Sequence, residues 1–168
     1  FLYANRASEL ITGYTREDLL KMRVWDFVHP DDLELLKGRS ESRLHGMPVP
    51  ERYEFRILDK RGEVRWVDFS GAVIQFGGQN AIVATVFDIT ERKRAEELQS
   101  ALYRIASLAS SATDLKQFYK SIHDIVAELM EAKNFYIAVL SEDGERIEVP
   151  YFVDEEDPEP PPPEAWRG

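Results

Sequence analysis

Arg52-Tyr53-Glu54-Phe55-Arg56-Ile57-Leu58-Asp59-Lys60-Arg61-Gly62-Glu63-Val64-Arg65-Trp66-Val67 is the stretch that decides the fold. Tyr53, Phe55 and Ile57 alternate with Arg52, Glu54 and Arg56, the period of two expected of a strand with one apolar face. Asp59-Lys60-Arg61-Gly62 then supplies turn chemistry, and a second strand runs from Val64 to about Phe76. Gly77-Gly78-Gln79-Asn80 is a second hairpin turn, followed by a third strand from Ala81 to Ile89. Three strands joined by hairpins imply an antiparallel meander. Phe1-Leu2-Tyr3 is expected to add a fourth strand.

The preceding residues read as short helices. Asn5 suits an N-cap, and Thr12-Gly13-Tyr14 ends the first helix. Thr15 and Asp18 stand at capping-box spacing. Pro30 suits the first turn of a third helix, where Asp31 and Asp32 complement the dipole. After the meander, Thr90 is placed to cap a long helix. Ala95, Leu98, Leu102, Ile105 and Ala109 recur there at spacings of three and four, a coiled-coil seam of about two and a half heptads. Asp114 opens another helix, with Leu115, Phe118, Ile122, Ile125, Val126 and Leu129 on one face. Asn134 to Leu140 and Arg146 to Val153 read as a hairpin around Asp143-Gly144, and residues 154–164 as an acidic, Pro-rich loop.

Composition narrows the function. The 168 residues carry a net charge of −10, and Glu91-Arg92-Lys93-Arg94 is only locally basic, so no nucleic-acid partner is expected. The absence of cysteine excludes disulfides, thiolate catalysis and zinc–thiolate sites. No apolar run approaches the ~20 residues of a membrane span. No Walker loop, nucleophile elbow or HExxH helix is present, so no catalytic residue is expected and the chain is read as a non-enzyme. His29, His45 and His123 are the only histidines. None neighbours a second ligand at metal spacing, and no metal is expected. His45 and His123 read as lying on charged helical surfaces.

The words of the sequence resemble a PAS domain of the S-box type. Tyr3-Ala4-Asn5, Thr12-Gly13-Tyr14-Thr15 with Glu17-Asp18-Leu19, and Val28-His29-Pro30-Asp31-Asp32 are similar to the family's strand-end Asn, its Gly-Tyr turn with the following helix, and its His-Pro-Asp-Asp corner. Tyr53 to Arg56, Gly62 to Val67, and Asp88-Ile89-Thr90-Glu91-Arg92-Lys93 resemble its central hairpin and exit motif. The resemblance implies an α+β fold over residues 1–92, with an antiparallel sheet, short flanking helices and a first strand lying before Phe1. A helical coiled-coil linker follows over residues 93–112. From about Gln99 the chain resembles the opening of a GAF domain, so residues 113–168 are expected to be a truncated GAF-like helix and hairpin.

What the resemblance implies about function is a sensory and relay module, cytoplasmic and homodimeric, feeding a downstream domain of the same parent. The parent is expected to be a sensor histidine kinase, or equally a cyclic-dinucleotide enzyme. Tyr53, Phe55, Ile57, Val67, Phe69, Ile82, Ala84 and Val86 are the inward, pocket-lining set, a register that a bulge would reverse. That lining suits a filled core or a small apolar ligand, as yet unidentified. Flavin is not expected: there is no reactive cysteine, and the family's amide positions hold Ile57, Val67 and Val86. Haem is not expected for want of an axial ligand. Asp88, Ile89, Thr90 and Arg92 form the signal exit, with Arg92 or Arg65 as the basic partner of Asp88. A ligand-free dimerisation and protein-interaction module is the competing reading.

Overall fold

The computed structural model describes residues 1–141 and 146–156. The expected Asp143-Gly144 turn, and residues 157–164 of the Pro-rich loop, lie outside them. The chain divides into two compact units, Phe1–Arg94 and Ala95–Gly168.

The first unit opens with α1 (Arg6–Thr12), capped by Asn5, whose side chain accepts from Ser8 N at 3.0 Å. Gly13, at φ 74°, ends it in the left-handed conformation that glycine adopts without strain. Helix α2 (Arg16–Lys21) starts on a reciprocal Thr15–Asp18 capping box. A 3-10 turn at Val24–Phe27 leads to α3 (Pro30–Leu44), with Pro30 in its first turn and the His29 ring accepting from Asp31 N at 3.3 Å.

The sheet comprises β1 (Arg52–Leu58), β2 (Val64–Phe76) and β3 (Gln79–Asp88), in the order β1-β2-β3 and antiparallel throughout. Gly77 and Gly78 both have positive φ, so two residues suffice to reverse the chain. Strand β3 therefore begins at Gln79, paired with Phe76, two residues before the expected Ala81. Leu19, Phe27, Ile57, Val67 and Ala4 form the core.

Phe1 to Tyr3 is not a strand. A strand needs a neighbour to take its backbone bonds, and among the described residues none runs beside these. Instead Phe1 stacks on Phe27, with ring centroids 5.7 Å apart.

Helix α4 (Thr90–Ser111) begins in the first unit and continues in the second. The second unit adds α5 (Leu115–Leu129) and a hairpin of β4 (Phe135–Leu140) and β5 (Ile147–Val153). The Asp114 carboxylate caps α5 by accepting from Lys116 N and Gln117 N.

Candidate functional site

The junction of β3 and α4 is tied to β2 by backbone and side chain together. The last ladder pair is Val67 opposite Asp88. One step further, Ile89 N donates to Trp66 O at 2.9 Å, and Trp66 N donates to Thr90 Oγ1 at 3.0 Å. Thr90 is buried, and its hydroxyl serves the strand rather than capping the helix as expected. The helix start is satisfied otherwise: Asp88 Oδ1 accepts from Thr90 N at 2.9 Å, and Ile89 O accepts from Lys93 N at 3.0 Å.

Arg65 is the basic partner of Asp88, at 3.3 Å. Its Nε also donates to Asp59 at 3.0 Å. Arg65 and Asp88 lie on one face as diagonal neighbours, because the register sets Val67 against Asp88. Burial works to raise the Asp88 carboxyl. The Thr90 hydroxyl and N–H, with Arg65, outweigh it and hold the pKa below the ordinary value. Asp59 has the same balance: burial opposes its charge, while the Glu63 N–H, Arg65 and the Arg61 N–H keep it low. In the sequence alone Asp59 reads only as a turn residue. Its link to Arg65, six residues on, depends on the hairpin folding back.

Arg92 does not reach Asp88. It joins Lys93 on Glu54, at 2.6 and 2.7 Å, on the other sheet face. The Lys93 and Arg92 hydrogen bonds hold the Glu54 pKa below its ordinary value against a smaller desolvation effect. Lys93 also lies 5.1 Å from the Trp66 ring centroid, so the first turn of α4 covers that aromatic. A concavity of about 350 Å³ beside the junction is lined by Glu63, Val64, Arg65, Asp88, Thr90, Glu91 and Arg94. Five of these seven side chains are charged, so the concavity does not suit an apolar ligand.

The eight pocket-candidate residues share one face. The register sets Tyr53 opposite Phe69, Phe55 opposite Val67, Phe69 opposite Val86, Gly71 opposite Ala84 and Val73 opposite Ile82. Ile57 and Val67 are buried; Tyr53, Phe55, Phe69 and Ile82 are half-buried; Ala84 and Val86 are exposed. The Tyr53 and Phe69 rings stack at 4.9 Å, with Phe55 6.1 Å from Phe69. A Cβ at Gly71 would lie 2.7 Å from Phe69 Cε1, so the ring takes the room that the glycine leaves.

The PAS fold profile matches residues 1–86, just over half of the chain. The chain belongs to the PAS fold family. Among curated proteins, its relatives include the methyl sulfide methyltransferase-associated sensor of Methanosarcina acetivorans, 29% identical over 141 residues. That alignment covers 80% of this chain and 14% of the relative. The sensor histidine kinase TmoS of Ectopseudomonas mendocina is 29% identical over 115 residues, covering 67% of this chain and 12% of that protein. The chain therefore spans only a small part of either relative. A sensory box histidine kinase/response regulator from Burkholderia thailandensis superposes with a TM-score of 0.47 at 22% identity, over 61% of this chain and 78% of that one. By its sequence match to TmoS, the PAS domain is homologous to part of a sensor histidine kinase.

Beyond the PAS domain, the seam residues are largely open. Ala95, Leu98, Leu102 and Ala109 are exposed and Ile105 is half-buried. The covered stripe of α4 is Ala101, Ile105 and Leu108, and Arg104 binds Glu128 of α5 at 2.9 Å. His123 corrects an expectation. It is half-buried, stacked on Phe135 at 4.7 Å, with Nδ1 3.0 Å from the Tyr151 hydroxyl and Nε2 2.6 Å from Ala132 O. The hairpin folds over α5 and turns a helix-surface residue into a packed one. Among the described residues, no group of three or more His, Cys, Asp or Glu is placed to hold a metal. None of their helices is long and apolar enough to cross a membrane.

Proposed function

We propose that the chain is a sensory and relay module of a larger signalling receptor. In this reading residues 1–92 are the input domain, 93–112 the linker and 113–168 the opening of a GAF-like segment. It works in the cytoplasm as a homodimer and passes conformational change to an output domain without chemistry of its own. The observation that carries this reading is the splice of β3 to α4. Two backbone-level bonds from Trp66 and one carboxylate on Thr90 N leave no slack residue between strand and helix. Displacement of the β2–β3 end of the sheet is therefore delivered to the helix start. The order α5, β4, β5 supports the GAF-like assignment, and the open Leu98–Leu102 stripe supports pairing with a second copy.

Replacing Asp88 with Ala removes the acceptor for Thr90 N and one arm of Arg65. In the full receptor, Asp88→Ala is expected to uncouple input from output while circular dichroism of the isolated chain is unchanged. A normal signalling response from that variant would remove the relay reading. A second reading, a sensor for a small ligand, is favoured by the apolar inner face that ends in exposed Ala84 and Val86.

A further inference from the structure

Helix α3 touches both faces of the sheet. Its start closes the edge of β1 at Arg56. His29 N donates to Arg56 O at 3.0 Å, and Asp32 Oδ2 accepts from Arg56 N at 2.8 Å and from Arg56 Nε at 3.1 Å. Asp32 Oδ1 accepts from the same guanidinium at 2.8 Å, and Asp31 lies 3.2 Å from it. Backbone and side chain of Arg56 are therefore both held by the start of α3. Arg56 alternates with Phe55 and Ile57, so its side chain lies on the outer face. The body of α3 serves the inner face: Arg39 lies 4.4 Å from the Tyr53 ring centroid, and Arg43 donates to Gly71 O.

On the outer face Arg56 stands directly opposite Trp66. Its guanidinium lies 5.7 Å from the Trp66 ring centroid, and the Lys93 ammonium of α4 lies 5.1 Å from the same centroid. Both are inside the range of about 6 Å in which a cation is attracted to an aromatic ring. Asp32, Arg56, Trp66 and Lys93 are each half-buried, which limits screening by salt. The Trp66 backbone is meanwhile bonded to Ile89 and Thr90. We propose that Asp32, Arg56 and Trp66 form a lever that carries movement of α3 to the first turn of α4 across the outer face of the sheet. A load on the inner face that shifts α3 draws Arg56 with it, and the Trp66 ring passes the shift to Lys93. Arg56 and Trp66 act here as positioning residues. This inference rests on the relay reading and gives the helix start a second input, from the helical side of the domain.

The test is native-state amide hydrogen exchange on the whole 168-residue chain. It is read at Ile89, whose N–H donates to Trp66 O, with Ala81, paired with Ile74 near the hairpin end of β3, as the control. Asp32→Asn keeps the size and removes the charge that holds Arg56. It is expected to speed exchange at Ile89 about three- to tenfold, with Ala81 unchanged. In a Trp66→Leu background the same substitution should leave Ile89 where Trp66→Leu alone puts it, because the ring that passes the effect is gone. Trp66→Phe keeps an aromatic face and should restore the response. Lys93→Met repeats the cycle at the other end of the lever if Trp66→Leu does not fold. Unchanged Ile89 exchange in Asp32→Asn, equal acceleration at Ala81, or the same effect of Asp32→Asn with and without the ring or the Lys93 ammonium would each overturn the lever. The relay reading falls separately, on a normal response of Asp88→Ala in the full receptor.

Discussion

Asp59 is the residue on which most of the site geometry converges. It is 6% exposed and accepts from Arg61 N at 2.9 Å, Glu63 N at 3.0 Å and Arg65 Nε at 3.0 Å. Three donors around one buried carboxylate make its charge integral to the β1–β2 turn and to the aim of Arg65 at Asp88. Asp59→Asn keeps the size but removes the charge and places an amide N–H₂ among donors. Hydrogen bonds to charged groups contribute about 1.5–3 kcal/mol, and a loss in that range is expected in urea unfolding. An unchanged midpoint would mean that the turn holds without the carboxylate. Asp88→Asn should cost less, because Asp88 is partly exposed and its ion pair with Arg65 is longer.

Helix α4 serves two partners along its length, and this explains why its heptad pattern is ambiguous in sequence. Its first turn is anchored to Glu54 and Trp66 through Arg92 and Lys93. Further on, the Ala101, Ile105 and Leu108 stripe is covered, while Leu98 and Leu102 are 52% and 59% exposed. Ile105 belongs to both stripes. In the proposed homodimer, the exposed leucines would supply the seam for a second copy. Leu98→Glu with Leu102→Glu should shift sedimentation from dimer to monomer, leaving the unfolding of residues 1–90 unchanged. A dimer that persists in the double variant would place the contact elsewhere.

At the scale of the whole molecule, acid is the expected weak point. Asp32, Asp59, Asp68 and Asp88 all have pKa values held below the ordinary carboxylate value. For Asp32 and Asp68 the first cause is the arginine hydrogen bond, from Arg56 and Arg52 respectively. Near pH 4 the unfolded chain binds more protons than the folded one, so stability rises with pH there. The contribution is complete above the unfolded carboxylate pKa of about 3.9 and is lost as pH falls through the lower folded values. Thermal midpoints should be flat with respect to these groups from pH 7 to about 5 and drop steeply below about 4. A midpoint that holds to pH 3 would show that these pairs contribute little.

By itself, the sequence determined the meander and its parity. Side chains alternate across a strand, so Tyr53, Phe55 and Ile57 had to share a face once their segment was extended. The Asp59–Gly62 and Gly77-Gly78 turns mark where the strands reverse. The helix starts at Asn5, Thr15, Pro30 and Asp114 were equally legible, because caps act within three residues. What depends on distant partners was not legible. Whether Phe1–Tyr3 makes a strand depends on a neighbour to bond with. Thr90 bonds Trp66 rather than its own helix because β2 runs past the end of β3. Asp88 takes Arg65 and leaves Arg92 to Glu54 because the Val67–Asp88 register and the turn of α4 put the two arginines on opposite sheet faces. His123 is packed because a hairpin remote in sequence folds over α5. Local chemistry is written in neighbouring residues. The choice among charged partners is made only when turns and register bring residues on different strands and helices within about 3 Å, the range in which hydrogen bonds form.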